Sequence, residues 1–145
     1  MLVSFPRVIH DGSCIIAIVL NSALIIVILM KTPTKLRCFA TVLFNMSIIE
    51  LITALSSLFV FNRIMSTDEH MLTMFAGPCH LTESSSLCFS IYAIRLHGHA
   101  HHCALLAFSF CYRYYVIRNS EPSSRTVFLW LTIIYVPTVI VYVSL

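Results

Sequence analysis

"LCFSIYAIRLHGHAHHCALLAFSFCYRYYVI", residues 87 to 117, is the segment on which the fold turns. Its second half is apolar and aromatic. Its first half holds Arg95 and four histidines in six positions, His97, His99, His101 and His102. Taken alone, so mixed a segment reads equally as a hydrophilic loop or as a helix with a polar edge. Its flanks must arbitrate.

Those flanks are oil-like. The chain has 145 residues, 59% of them hydrophobic and 10% charged, with a mean hydropathy of +0.91, whereas soluble domains carry about 25% charge. The composition predicts an integral membrane protein. Apolar runs cover about 13–30 and 38–61 before the segment and 127–145 after it, each at or near the roughly 20 residues that carry a helix across about 30 Å of hydrocarbon.

Basic residues then set the topology. Lys31, Lys35 and Arg37 crowd the 31–37 connection, and Arg113, Arg118 and Arg125 mark the region around 118–126. The N-terminal tail has only Arg7, and the 62–86 connection has Arg63 beside Asp68, Glu69 and Glu83. By the positive-inside rule both basic connections are cytoplasmic, while the N-terminus and residues 62–86 are outside. Residues 87–117 must therefore cross as a third helix. The expected architecture is all-α, a helical membrane bundle forming one domain over 1–145, with spans at about 13–30, 38–61, 87–117 and 127–145. Pro33 and Pro122 fall in the cytoplasmic turns, and Pro137 lies inside the last span, where it should kink the helix.

Polar groups inside spans are costly and mark functional sites by default. At 100° per residue, Arg95, His99, His102, Leu106, Ser109 and Arg113 fall within about 40° of one direction. That stripe, which rises about 27 Å, is expected to face the bundle interior or a watered cavity. Arg95, His99, His102 and Ser109 are the candidates for lining a ligand cavity. His97 and His101 lie roughly opposite, and Gly98 between them would let another helix approach closely. Asn21, Asn45 and Glu50 are the polar groups of the first two spans. Glu50 lies twelve positions beyond Cys38, and Leu105 twelve before Ile117, so Glu50 is level with the stretch between His102 and Ser109. It either meets His102 or stays protonated and bonds Ser47 or Asn45.

Other chemistries find less support. His97/His101 and His99/His102 have usable metal spacings, but the two pairs point in opposite directions. A metal, haem or proton-transport site in the His97–His102 cluster is the alternative function, and a bound metal or cofactor is not the expectation. No nucleophile beside a base, phosphate loop or carboxylate pair appears, so no enzyme is predicted. The net charge of +3 is too scattered for nucleic acid. Six cysteines are spread along the chain, and only Cys79 and Cys88 lie in a polar connection that an oxidising compartment could reach.

Several strings together carry a resemblance. "NMSIIEL" at 45–51 is similar to the second-helix pattern of seven-helix receptors, and Asn21 in "LNSALIIVI" occupies a place like their first-helix asparagine. With "KTP" at 31–33, "GPC" at 77–79 and above all "SFCYRYYVIRNSEP" at 109–122, the chain resembles the nematode serpentine receptor class delta chemoreceptors over nearly its whole length. The resemblance implies a G-protein-coupled receptor of chemosensory neurons that detects small molecules. It implies a heterotrimeric G protein as partner and a place in the plasma membrane, in sensory cilia, with the N-terminus outside. Tyr112, Arg113 and Tyr114 would lie where such receptors couple, although a tyrosine-flanked arginine at the inner interface is also a plain membrane anchor. Cys79 sits where such receptors commonly have an outer cysteine paired to the next outer loop; Cys88 is the alternative partner here. Seven spans make the pattern and four are present, so the expectation is a truncated or fragmentary member.

Overall fold

The computed structural model describes residues 4–33, 36–66, 71–75, 77–82, 84–119 and 121–143. Four helices carry the chain: α1 (Ser4–Lys31), α2 (Arg37–Phe59), α3 (Ser85–Arg118) and α4 (Ser124–Val143). α1 and α2 are each long and apolar enough to cross a membrane. α3, with 34 residues, is about 51 Å long, well beyond the hydrocarbon thickness. The deciding segment is thus one continuous helix. Residues 4–12, taken from sequence as an outer tail, extend the first helix by two turns and more.

Local chemistry explains the boundaries. Ser84 caps α3, its hydroxyl accepting from the Leu87 N–H at 3.4 Å, and Ser123 does the same for the Thr126 N–H before α4 at 3.3 Å. Pro33 closes the first turn, its carbonyl accepting from the Leu36 N–H at 3.0 Å. Pro137 leaves Ile133 O without its intrahelical donor, yet α4 runs through it.

α2 is the hub, packing against α1, α3 and α4. Cys38, Val42 and Ile49 of α2 meet Leu105 and Tyr112 of α3 and Val127 and Leu131 of α4 in one buried cluster, with Phe39, Phe108 and Trp130 around it. Val42 and Leu105 are wholly buried, and burying each such side chain is worth about 1.5–3 kcal/mol where water is the alternative. α1 exposes most of its apolar surface, including Ile16, Leu20 and Leu29, as a lipid-facing helix does.

The outer connection is more structured than its sequence suggested. β1 (Asn62–Ser66) pairs antiparallel with β2 (Met71–Phe75), Asn62 opposite Phe75 and Ser66 opposite Met71, and a 3₁₀ turn follows at Pro78–Thr82. A lone hairpin is marginal by itself; this one is tied down. Phe75 meets Tyr92 edge-on at 5.8 Å. Gly77 lies so close to the backbone of Phe59 and Phe61 that a Cβ would overlap it. Cys79, disulfide-bonded to Cys88, is buried with Val60.

Candidate functional site

The two central helices approach closely because Gly98 has no side chain. A Cβ there would overlap the Thr53 side chain of α2, whose hydroxyl donates to Ile49 O at 2.7 Å. One turn further along α3, His102 Nδ1 lies 2.9 Å from Glu50 Oε1, both side chains half-buried. No hydrogen bond is aligned along that ring nitrogen, so the contact is a close approach of the two polar groups and not a directed bond. The alternative partner of Glu50 is otherwise engaged: Ser47 donates to Leu43 O of its own helix at 3.0 Å. Asn45 is half-buried on the same helix. Asn21 of α1 turns back on itself, donating to Ala17 O at 2.9 Å.

His97 and His101 serve the other flank. A carbonyl can only accept, so His97 Nδ1 donates to Thr138 O at 2.9 Å. The Thr138 hydroxyl donates to Tyr135 O at 2.8 Å, so it accepts from His101 Nδ1 at 3.1 Å. Both rings therefore carry a proton on Nδ1. His101 is wholly buried, its Nε2 has no partner, and the Tyr135 ring packs 4.1 Å from its own. His97 stacks on His101 at 6.0 Å and meets Tyr142 at 5.5 Å. A polar belt thus crosses three helices: Glu50, His102, His101, His97, Thr138.

This rotates α3 relative to the sequence expectation. Its buried edge runs through Gly98, His101, Leu105, Ser109 and Tyr112, about 80° from the predicted stripe at 100° per residue. His99, Leu106 and Arg113 are exposed, and His102 and Arg95 are half-buried. Polarity selected the stripe, whereas close approach at Gly98 and packing on two sides set the rotation, and the resulting edge lies between the two histidine pairs. Among the described residues, His102 faces Glu50, Arg95 faces Asn62, Ser109 lies on the buried edge and His99 is exposed. The histidines also diverge, His97 and His101 to α4 and His102 to α2. Among the described residues, no three His, Cys, Asp or Glu side chains gather as a metal ligand set.

At the end of the bundle nearer the hairpin, Asn62, His10 and Asp11 are groups the sequence reading passed over, and Arg95 meets the first of them. Arg95 donates to Asn62 Oδ1 at 2.8 Å and to Val60 O at 3.4 Å. Val60 caps the C-terminus of α2, where a cation is favourable. On α1, Arg7 lies 3.8 Å from Asp11 and His10 lies 3.2 Å from it, and His10 meets Phe61 edge-on at 5.2 Å. The i,i+4 spacing of Arg7 and Asp11 was a legible signal once the helix is known to begin at Ser4.

At the inner end, Tyr112 is buried, stacks on Phe39 at 5.9 Å, and leaves its hydroxyl unpaired. Arg113 sits 4.9 Å over the same Phe39 ring, and Arg118 lies 5.5 Å over Tyr114, which is exposed. Phe39 is thus gripped by both halves of the Tyr112–Arg113 pair.

Polar groups buried in a multi-helix membrane bundle and an aromatic-flanked arginine at its basic end are the features of a serpentine membrane receptor. The family model described as serpentine type 7TM GPCR chemoreceptor Srd matches residues 7–145, and the chain belongs to that family. It is 33% identical over 129 residues to serpentine receptor class delta-1 of Caenorhabditis elegans, a match covering 89% of this chain and 34% of that protein. Class delta-3 is 29% identical over 132 residues, 89% of this chain and 38% of the relative, and class delta-2 is 28% identical over 116 residues, 78% and 32%. The chain spans about a third of the length of these relatives. No solved structure matches it.

Proposed function

We propose that these four helices are the first four of a chemosensory receptor that detects small molecules and signals through a heterotrimeric G protein. The observation that carries the reading is the family match over residues 7–145, which includes every helix of the polar belt. In this reading Arg95, His99, His102 and Ser109 border the space in which a small molecule is read. The belt of Glu50, His102 and His101 holds α2, α3 and α4 in register beside it. Tyr112, Arg113 and Tyr114 present the coupling surface, with Arg113 held at the rim by Phe39. The N-terminus lies outside, the basic 31–37 connection inside, and the receptor resides in the plasma membrane of sensory cilia.

A G-protein dissociation assay in cells expressing the receptor, challenged with a panel of small polar and volatile compounds, tests the reading. A cue-dependent signal abolished by Arg113→Ala at unchanged surface level supports it. A cue that binds the reconstituted protein without any G-protein response in cells overturns the coupling.

A further inference from the structure

We propose that the cleft between the inner ends of α1 and α2 is a binding site for an anionic phospholipid of the cytoplasmic leaflet, with Arg37 taking the phosphate. The cleft has a volume of about 380 Å³ and its lining is divided by chemistry. Arg37, Thr32 and Thr41 line one part; Ile28, Leu29 and Phe44 line the other. Thr32 and Arg37 lie at the connection between the two helices, Ile28, Leu29, Ala40 and Thr41 about one turn in, and Phe44 about two turns in, so the charged group is at headgroup level and the apolar lining runs toward the acyl chains. That is the layout of a lipid: charge at the interface, hydrocarbon below it.

Arg37 is available. Its guanidinium has no ion pair or hydrogen bond with any described residue, and a planar five-donor fork matches phosphate oxygens. Thr41 and Thr32 donate to their own helix, to Arg37 O at 3.0 Å and Ile28 O at 2.5 Å, which leaves the arginine as the donor to a headgroup. Charge complementarity favours an anion over a zwitterion: the two inner connections carry Lys31, Lys35, Arg37, Arg118 and Arg125 against Glu121 alone. Two more open hollows at this end of the molecule are mostly apolar and each has one arginine, Arg118 in one and Arg125 in the other. Assignment to the cytoplasmic leaflet rests on the orientation proposed above.

Photolabelling tests the site. The full chain is placed in nanodiscs with phosphatidylserine carrying a photoreactive group in its acyl chain, and labelled peptides are mapped. Labelling should concentrate on the Ile28–Leu29 and Phe44 peptides. It should fall roughly fivefold in Arg37→Ala and by a smaller factor in Arg37→Lys, which keeps the charge and loses the planar fork, with helicity by circular dichroism unchanged in both. Equal labelling by the phosphatidylcholine analogue, or undiminished labelling in Arg37→Ala, overturns the site. Competition by inorganic phosphate as effective as that by unlabelled phosphatidylserine overturns the lipid as the source of the anion. Separately, a tag within 31–37 that antibody reaches on intact cells overturns the leaflet and the orientation, whatever the labelling result.

Discussion

His101 and His102 are neighbours in the chain, yet they answer to different helices. His102 faces the Glu50 carboxylate at 2.9 Å, whereas His101 faces a threonine hydroxyl at 3.1 Å. One neighbour is a carboxylate and the other a neutral hydroxyl, so these adjacent side chains are held by different partners. Glu50→Gln and His102→Ala should therefore be non-additive in thermal stability of the detergent-solubilised protein, with a coupling of about 0.6–1.7 kcal/mol; clean additivity would remove the pair. Thr138→Val removes the acceptor of His101 Nδ1 and leaves both ring nitrogens buried and unpaired. It should cost about 1–3 kcal/mol, read as a lowered unfolding temperature. The Glu50–His102 contact was legible from sequence because helical rise per residue is fixed and depth can be counted from the membrane face. The Thr138 partnership was not, since it depends on the rotation of α3, which no count of positions supplies.

Elements were legible where apolar length decides and opaque where contact decides. The cores of all four helices follow from hydrophobic runs and basic flanks. The extra turns of α1 do not, because Arg7, His10 and Asp11 read as tail until their i,i+4 contacts are seen. The hairpin at 62–75 was missed because two five-residue strands offer too short an alternation to detect. The rotation of α3 is set at Gly98, where α2 comes within contact of the backbone. Gly98→Ala should accordingly destabilise the α2–α3 pair by about 1–3 kcal/mol through overpacking, and Thr53→Ala should restore part of the loss when combined with it. Failure of that rescue would mean that the glycine acts elsewhere.

At the scale of the whole molecule, the bundle is a membrane domain with a covalently fastened cap at the hairpin end. The Cys79–Cys88 bond closes a short segment, nine residues apart in sequence, and should contribute about 2–3 kcal/mol by restricting the unfolded chain. Cys88→Ser should lower the unfolding temperature and abolish the cross-linked 79/88 peptide in a non-reducing digest. Its effect on α4 should be small, since α4 has no share in that outer cluster. A tag at the N-terminus should be accessible on intact cells while one within 118–126 is not; both tags on one side would contradict the three crossings expected between them.

The pairing of α2 with α3 is fixed at two heights, by the disulfide-stapled cap at the hairpin end and by the glycine contact with its flanking Glu50–His102 pair near the middle. Two fastenings on a pair of rigid rods leave one unfastened end. There, around Phe39, the stacked Tyr112 ring and the Arg113 cation hold the rods together, and a phenol hydroxyl stands without a mate. Whatever loosens the grip on Phe39 therefore frees the tips of α2 and α3 nearest the basic connections first, and Arg113 belongs to that grip.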